Sequence, residues 1–296
     1  MARINGGAVA SAEPMKFVRV NGVRIAYEST GDGPVPLVLV HGSWGSHHNW
    51  DPVVPGLVPD FRVVTYDRRG HSGSERLVGQ GSFNEDVADL AALIERLKAA
   101  PACVVGSSAG AAITLRLAAA RPDLLRGIVV HEPPLWSLLT AGSTEAARYE
   151  AVEHGPLAEV LRRISAGDHA GAAELFVDAV ALGPGSWARM PEGMRRTFVE
   201  NAPTFLDEEN DTGARTIDET ALARYRGPVL LTSGDRSPPL FRPVLKRLAE
   251  LLPQAEHAVY AGAGHIPHVT HPEAFVHEVV AFMSRSYSGT DLEARR

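Results

Sequence analysis

The chain has one cysteine, few aromatic residues and no excess of positive charge. A single cysteine, Cys103, excludes an internal disulfide framework and argues against a metal site built from cysteines. The formal net charge is −6 and there is no stripe of lysine and arginine, which argues against nucleic acid and anionic membrane surfaces as partners. The sequence also lacks an apolar run long enough to span a bilayer. We therefore expect neither a nucleic-acid nor a membrane partner.

The N-terminal sequence MARINGGAVASAEP lacks the basic start and the sustained apolar stretch of a secretory signal. From this we expect a cytoplasmic location. We also expect residues 1–15 to form a disordered N-terminal segment and residues 287–296 a frayed tail. The 296-residue chain is long enough to bury a sizeable core between these ends.

Short apolar runs alternate with helical patterns along most of the chain. Asn21-Gly22, a pair favoured in tight hairpin turns, separates two segments of alternating polarity and predicts an entry hairpin. Buried strands are predicted at 36–40, 61–66, 103–105, 127–131, 228–232 and 257–260. Helical patterns separate these runs, which is typical of a mostly parallel sheet. Residues 135–220 contain helical patterns without a convincing strand and predict a helical insertion.

The segment CVVGSSAGAAITLRLAAA, residues 103–120, combines a strand, a sharp turn and a helix. Ser108 lies at the turn between Gly106 and Gly110. A serine on such a tight strand-to-helix turn needs neighbours without side chains two residues before and after it. The following helix directs its positive end at Ser108, and the backbone N–H of Ala109 can donate to an oxyanion. The segment therefore predicts a nucleophile and half of its anion site.

Three predicted strands end in loops that carry Ser108, Asp235 and His265. The carboxyl ends of parallel strands lie at one edge of a sheet, so we expect these side chains to converge. A serine nucleophile needs an imidazole to take its proton and a carboxylate to orient that imidazole. The loop after the 36–40 strand is rich in glycine, and its Ser43 N–H is a candidate second oxyanion donor. These residues predict a catalytic triad with an oxyanion hole.

The chain resembles the α/β-hydrolase superfamily, in its serine-nucleophile branch with a helical cap. The matching motifs are HGSWG at 41–45, YDRRGHSGS at 66–74, VVGSSAG at 104–110, SGDRSP at 233–238 and GAGHIPH at 262–268. The resemblance implies an α/β fold with an eight-stranded, mostly parallel sheet flanked by helices. It divides the chain into a core of residues 16–134 and 221–286 and a cap of residues 135–220. It also implies that Ser108 is the nucleophile, His265 the base and Asp235 the acid, with Ser43 and Ala109 as oxyanion donors.

Glu132 is the reserve candidate for the acid, because it also ends a predicted strand and some members of the superfamily place their acid there. Trp44 and Trp136 flank the expected pocket and are candidates to line it. His41 and His71 are interpreted as histidines that hold their loops by hydrogen bonds. His268, His271 and His277 follow the predicted catalytic loop at irregular spacing and lack the carboxylate arrangement of a metal site, so we expect no metal and no cofactor.

A serine nucleophile favours attack on an acyl carbon, whereas the dehalogenase and epoxide-hydrolase branches of the superfamily need aspartate at that position. We therefore predict a serine esterase or lactonase that acts on a small, largely apolar molecule. Hydrolysis of a carbon–carbon bond in a β-diketone or ring-fission product, or perhydrolysis, would use the same triad. A cofactor-free oxygenase or hydroxynitrile lyase would use the His–Asp pair for proton transfer, and a non-catalytic ligand-binding relative is a further alternative. The sequence leaves open the substrate and whether the chain forms a homo-oligomer.

Overall fold

A computed structural model describes residues 15–77 and 79–287 of the chain. Nearly all of the two terminal segments expected to be disordered or frayed, residues 1–14 and 288–296, therefore lie outside the described residues. Every helix in the described chain falls short of the length or the apolarity that crossing a bilayer requires.

The core of the molecule is one eight-stranded sheet. Its strands are β1 (Lys16–Val20), β2 (Val23–Thr30), β3 (Val35–Val40), β4 (Phe61–Tyr66), β5 (Ala102–Ser107), β6 (Leu125–His131), β7 (Val229–Gly234) and β8 (Glu256–Tyr260). They are ordered β1-β2-β4-β3-β5-β6-β7-β8 across the sheet. Strand β2 is antiparallel to both β1 and β4, and every other pair is parallel. The predicted fold class, an α/β fold with a mostly parallel sheet, is confirmed.

The entry hairpin forms where the sequence predicts it. Asn21 and Gly22 join β1 to β2, and both have positive φ angles, 44° and 85°. The two-residue turn with left-handed angles matches the right-handed twist of the strands that it connects. The hairpin therefore starts the sheet at its antiparallel edge.

Helices follow most of the strands. They are α1 (Val54–Leu57), α2 (Phe83–Arg96), α3 (Ala109–Ala120), α4 (Thr144–Val152), α5 (Ala158–Ser165), α6 (His169–Phe176), α7 (Ser186–Arg189), α8 (Glu192–Asn210), α9 (Glu219–Leu222), α10 (Phe241–Leu251), α11 (Pro267–Thr270) and α12 (Pro272–Tyr287). Ser82 caps α2 by accepting from the backbone N–H of Glu85, and the Glu85 side chain completes a capping box.

Two layers of helices cover the two faces of the sheet. Successive residues of a strand point to opposite faces, so the continuous apolar run of β3 is buried on both sides. Val38 belongs to the core cluster under α2, α3 and α10. Its neighbours Leu37 and Leu39 belong to the cluster under α1 and α12. This sandwich holds the carboxyl ends of the parallel strands at one edge, where the candidate site lies.

The chain between β6 and β7 is helical throughout its described elements, as predicted. We call residues 135–220 of this segment the helical insertion. One wider π turn, Glu153–Leu157, joins α4 to α5, and another, Val177–Ala181, follows the last residue of α6. Gly155 and Pro156 lie in the first of these turns, and a proline interrupts the hydrogen-bond ladder of a helix. Helices α5, α6 and α8 share an apolar cluster with Trp44, which lies in the loop after β3.

Candidate active site

The turn between β5 and α3 has the strained geometry that the sequence predicts. Ser108 has φ 55° and ψ −121°, a region that residues other than glycine rarely adopt. A Cβ atom on Gly106 would lie 2.3 Å from the carbonyl oxygen of Gly110. A Cβ atom on Gly110 would lie 2.1 Å from the carbonyl oxygen of Val40. Only glycine fits at both positions, and the turn presents Ser108 at the end of the sheet.

The loop after β3 lies directly against this serine. A Cβ atom on Gly42 would lie 3.0 Å from Cβ and 3.6 Å from Oγ of Ser108. Ser43 follows Gly42 and lines the same cavity as Ser108. Ala109 is the first residue of α3, and the first N–H groups of a helix have no partner within it. The structure thus brings Ser43 and Ala109, the two predicted oxyanion donors, to the side of the predicted nucleophile.

His265 contacts a carboxylate from the neighbouring strand end. Its Nδ1 lies 2.6 Å from Oε2 of Glu132, and the two side chains are 7% and 0% exposed. The other oxygen of Glu132, Oε1, accepts from the backbone N–H of Gly234 at 2.9 Å. A carboxylate can only accept, so Nδ1 of His265 carries the proton and Nε2 is left as a basic nitrogen.

The expectation that Asp235 contacts His265 is wrong in this structure. Asp235 is exposed, and its Oδ1 accepts from the backbone N–H of Gly262 at 2.8 Å. Glu132 takes the place next to the imidazole because its φ angle of 46° turns the chain sharply at the end of β6. The hydrogen bond from Gly234 then holds the carboxylate between β6 and β7, so the reserve candidate occupies the position predicted for Asp235.

Ser108 and His265 open onto a cavity of 600 Å³ beneath the helical insertion. Trp136 lines this cavity, as predicted. Other apolar lining residues include Leu157, Phe176, Val180, Phe205, Leu240 and Phe241. Trp44 does not line it: its ring is fully buried and stacks on Phe176 with 4.8 Å between ring centroids. The prediction for Trp44 is wrong because the insertion packs over its indole ring.

Most of the chain matches a known protein family. Residues 37–278 match the family described as the alpha/beta hydrolase family. The chain belongs to this family. It is similar to an uncharacterized hydrolase, YraK, of Bacillus subtilis (strain 168), with 36% identity over 153 residues. That match spans 50% of this chain and 56% of YraK.

Two further comparisons cover nearly the whole α/β hydrolase. A pimeloyl-[acyl-carrier protein] methyl ester esterase of Yersinia pseudotuberculosis serotype O:1b (strain IP 31758) is 26% identical over 266 residues. The match covers 88% of this chain and 97% of the esterase. A crystal structure of an alpha/beta hydrolase from Sphaerobacter thermophilus DSM 20745 superposes with a TM-score of 0.74 at 25% identity. It covers 90% of this chain and 99% of that one. The family and the name of the esterase support a hydrolase activity.

Two imidazoles flank Glu132 in this α/β hydrolase. Nε2 of His131 lies 3.4 Å from Oε2 of Glu132, on the same oxygen that Nδ1 of His265 contacts. Burial alone would raise the pKa of Glu132, but the contacts with His131 and His265 hold this pKa well below its ordinary range. Burial lowers the pKa of His131. Glu132 is therefore a carboxylate, and His131 is a neutral imidazole beside it.

Among the described residues, one cluster has three potential metal ligands close enough to share an ion. Its members are His131, Glu132 and His265, whose ligand atoms lie within 4.8 Å of one another. Two ligands of a tetrahedral zinc ion, at about 2.0–2.1 Å from the metal, are about 3.3 Å apart. Nδ1 of His265 and Oε2 of Glu132 are only 2.6 Å apart. That spacing fits a shared proton rather than a shared metal ion.

An aromatic ring covers the face of the imidazole of His265. Phe241, the first residue of α10, stacks on it with 4.4 Å between centroids and 11° between planes. Trp136 packs against Phe241 in turn, at 5.3 Å. These contacts restrict the rotation of the His265 ring, and an aromatic face stabilises a cation beside it.

His41 and His71 make the loop-fixing hydrogen bonds that the sequence predicts. Nε2 of His41 accepts from the backbone N–H of Arg68 at 3.0 Å. Nε2 of His71 lies 3.0 Å from Oγ1 of Thr204. Burial lowers the pKa of both imidazoles, that of His71 to about 3. Both rings are therefore neutral and stabilise the loops through hydrogen bonds, and neither lines the cavity.

Two residues at the site, His131 and Glu208, are absent from the candidates that the sequence predicts. His131 immediately precedes the reserve acid, and its polarity at the end of an apolar strand was a usable signal. Glu208 lies in the acidic run Asp207-Glu208-Glu209 of α8. Nothing in that run distinguishes the buried member from its neighbours, so only the packing of α8 could identify it.

Proposed function

We propose that the protein is a serine hydrolase that cleaves a carboxylic ester or lactone through an acyl-enzyme. Ser108 is the nucleophile, His265 the general base and Glu132 the acid that orients the base. One observation carries the proposal: the strained serine turn and a histidine bonded to a buried carboxylate line the same cavity. The three residues follow one another as Ser, Glu and His, the chain order typical of this fold.

In the proposed reaction, Nε2 of His265 takes the hydroxyl proton of Ser108 while Oγ attacks the acyl carbon. The backbone N–H groups of Ser43 and Ala109 donate to the resulting oxyanion. The imidazolium returns the proton to the departing alkoxide, which leaves as an alcohol. Water, deprotonated by the same imidazole, then attacks the acyl-enzyme, and the imidazolium returns that proton to Oγ of Ser108 as the acid leaves. Glu132 stabilises the imidazolium in both steps without itself becoming protonated, consistent with its lowered pKa.

We propose a small, largely apolar acyl group as the substrate portion bound in the cavity. The volume of 600 Å³ is in the range of small-molecule sites. Several polar side chains that line the cavity already have partners. Asp178 accepts from the backbone N–H groups of Gly185 and Trp187. The Tyr149 hydroxyl donates to Glu153. These pairs leave mainly carbon surface for a ligand.

We further propose that the helical insertion, residues 135–220, acts as a cap over a core of residues 16–134 and 221–286. Tyr149, Phe176 and Phe205 of the insertion line the cavity together with Ser108 of the core. This shared lining supports a cap that selects the substrate. The name of the Yersinia relative, an esterase of an acyl methyl ester, supports ester chemistry at this site.

The first test is covalent labelling. An organophosphonate should modify Ser108 stoichiometrically and abolish turnover of p-nitrophenyl butyrate, with the site identified by peptide mass spectrometry. Ser108→Ala should lose both the label and the turnover while keeping the wild-type circular dichroism spectrum. Absence of a label on Ser108 in the folded wild type would contradict acyl transfer.

A second test separates the remaining chemistries. Esters, lactones, β-diketones and a cyanohydrin are offered to the wild type and to Ser108→Ala. We expect turnover of an ester or lactone that requires Ser108. Turnover of a cyanohydrin that survives Ser108→Ala but not His265→Ala would instead indicate proton transfer by the histidine and its carboxylate. Cleavage of a β-diketone alone would indicate a carbon–carbon hydrolase.

A further inference from the structure

A buried carboxylate of the helical insertion contacts the loop that carries the proposed oxyanion donor. Oγ of Ser43 donates to Oε2 of Glu208 at 2.5 Å. Glu208 lies near the end of α8, is separated from Ser43 by 165 residues and is 2% exposed. A hydrogen bond to a buried charged group is stronger than one between neutral groups. The side chain of Ser43 is therefore held by a distant element.

Glu208 is itself fixed by a buried arginine. Nη2 of Arg68 lies 2.8 Å from Oε1 of Glu208 and 2.5 Å from Oδ2 of Asp86, and both Arg68 and Asp86 are buried. Burial would lower the pKa of Arg68, but the two carboxylates raise it above its ordinary value. The guanidinium is thus charged and balances Glu208 in a place that excludes water. This pairing makes Glu208 a rigid acceptor for the hydroxyl of Ser43.

A second side chain of α8 holds the same loop from the same helix face. Asn201 donates through Nδ2 to the carbonyl oxygen of Gly45 at 2.8 Å and to that of Trp44 at 3.3 Å. Asn201 and Glu208 are seven residues apart, which places them on one side of the helix. Trp44, between the two anchored residues, has a positive φ angle of 65°. A strained loop of this kind keeps its shape only when its surroundings hold it.

We propose that Glu208 is a positioning residue that sets the backbone of Ser43 for oxyanion binding. This inference rests on the proposed function, in which the N–H of Ser43 donates to the oxyanion. Gly42 packs against Ser108, so a small shift of the loop changes the distance between the Ser43 N–H and the reacting atoms. Glu208 acts through Ser43 and does not line the cavity. The helical insertion therefore contributes to catalysis as well as to substrate binding.

The test measures the effect of Glu208→Gln on kcat and inhibitor affinity in the wild-type protein and in Ser43→Ala. In glutamine the oxygen can still accept from Arg68, and the amide NH2 then faces Oγ of Ser43. The charge-assisted bond that the Ser43 hydroxyl donates is therefore replaced by a weaker neutral bond of the opposite direction. We expect kcat for p-nitrophenyl butyrate to fall about tenfold with little change in KM, less than the ~10²–10³-fold loss on removing an oxyanion donor. Binding of an alkyl trifluoromethyl ketone, which forms an oxyanion with the serine, should weaken by a similar factor. In a Ser43→Ala background the same substitution should have little further effect.

Asp207→Asn is the matched control. Asp207 is the neighbouring residue of α8 and pairs with Arg76 at 3.0 Å, so its loss weakens the docking of α8 without touching Ser43. This variant should keep wild-type kcat and inhibitor affinity. Thermal unfolding checks that each variant is folded. If Glu208→Gln does not fold, Ser43→Ala alone decides, with the same expected losses in kcat and inhibitor affinity.

These experiments distinguish a failure of the positioning role of Glu208 from a failure of the proposed ester hydrolysis. Equal effects of Glu208→Gln in the wild-type and Ser43→Ala backgrounds would show that Glu208 only supports packing, and would overturn the positioning role alone. Unchanged kcat and inhibitor affinity in Ser43→Ala would overturn it as well. A wild type without ester turnover and without labelling of Ser108 would overturn both the function and the inference.

Discussion

Glu132 and His265 share a hydrogen bond of 2.6 Å between Oε2 and Nδ1, although 133 residues separate them in the chain. The bond joins the end of β6 to the loop after β8, across the end of β7. Because both side chains are buried, the bond is shielded from water.

The first prediction tests whether Glu132 or Asp235 is the carboxylate that orients His265. Glu132→Gln can donate to Nδ1 of His265 and so favours the tautomer with its proton on Nε2, which cannot act as the base. We expect kcat for ester hydrolysis to fall by about 10³–10⁴-fold, as for comparable changes of a triad acid. Steady-state kinetics on p-nitrophenyl butyrate measure this loss.

Asp235→Asn is the control for that prediction. The asparagine oxygen can still accept from the backbone N–H of Gly262, the contact that Asp235 makes. Because this contact is kept, we expect kcat to remain within about threefold of the wild type. A threefold change in kcat corresponds to less than about 1 kcal/mol in the activation free energy. The opposite ranking, with Asp235→Asn the more damaging variant, would restore Asp235 as the acid.

The second prediction concerns the ring stacked on His265. Phe241→Leu removes an aromatic face 4.4 Å from the imidazole while keeping an apolar side chain. We expect kcat to fall about twofold to fivefold, since a ring that faces a cation contributes about 0.5–1 kcal/mol. The same change at Phe17, whose ring is 51% exposed on β1, should leave kcat unchanged. Equal kcat values for Phe241→Leu and the wild type would refute a role for the stacked ring.

The third prediction tests the serine turn. A Cβ atom on Gly110 would lie 2.1 Å from the carbonyl oxygen of Val40. Gly110→Ala must therefore displace backbone, and we expect it to lower the free energy of unfolding by about 3 kcal/mol or more. Urea unfolding followed by circular dichroism measures the change.

Gly193→Ala is the comparison for Gly110→Ala. Gly193 lies in the first turn of α8, and nothing lies within 4 Å of the Cβ that alanine would add. Alanine favours a helix, so we expect a gain of about 0.5–1 kcal/mol. Destabilisation of similar size in both variants would mean that the clash at Gly110 is not the cause.

The fourth prediction links pH to stability through two buried imidazoles. Burial lowers the pKa of His71 and of His268 to about 3, from 6.5 in a solvated imidazole. Between these values the unfolded chain binds protons that the folded chain excludes. The free energy of unfolding should therefore decrease as the pH falls from about 6.5 toward about 3. Each histidine contributes up to about 1.4 kcal/mol per pH unit.

His268→Leu should remove one of these two contributions. We expect the slope of unfolding free energy between pH 5 and pH 6 to decrease by about 1 kcal/mol per pH unit. Burial raises the pKa of Asp86 to about 6, so its carboxyl group binds a proton more readily in the folded chain. This effect opposes part of the slope, and it does so equally in the wild type and in His268→Leu. His277→Leu is the control, since that side chain is 77% exposed and meets solvent in both states. Identical slopes in His268→Leu and the wild type would contradict this account.

Sequence alone predicted the parts of the molecule that depend on short-range rules. Asn21-Gly22 sets the entry hairpin because this pair tolerates left-handed angles. Gly106 and Gly110 identify Ser108 because a strained serine turn needs two residues without side chains. The continuous apolar runs predicted a sheet covered on both faces. Each of these features is decided within a few residues, so it can be read from the residues themselves.

Only the tertiary structure decided which carboxylate meets His265, what covers Trp44 and where Glu208 lies. Glu132 and Asp235 follow neighbouring strands, and the left-handed turn at Glu132 together with the hydrogen bond from Gly234 selects between them. Trp44 is buried because helices from the far part of the chain pack on its ring. Glu208 is buried because α8 docks on Arg68 and Ser43. These contacts join residues more than a hundred positions apart, and their free energy depends on geometry that exists only once the sheet and the insertion have assembled.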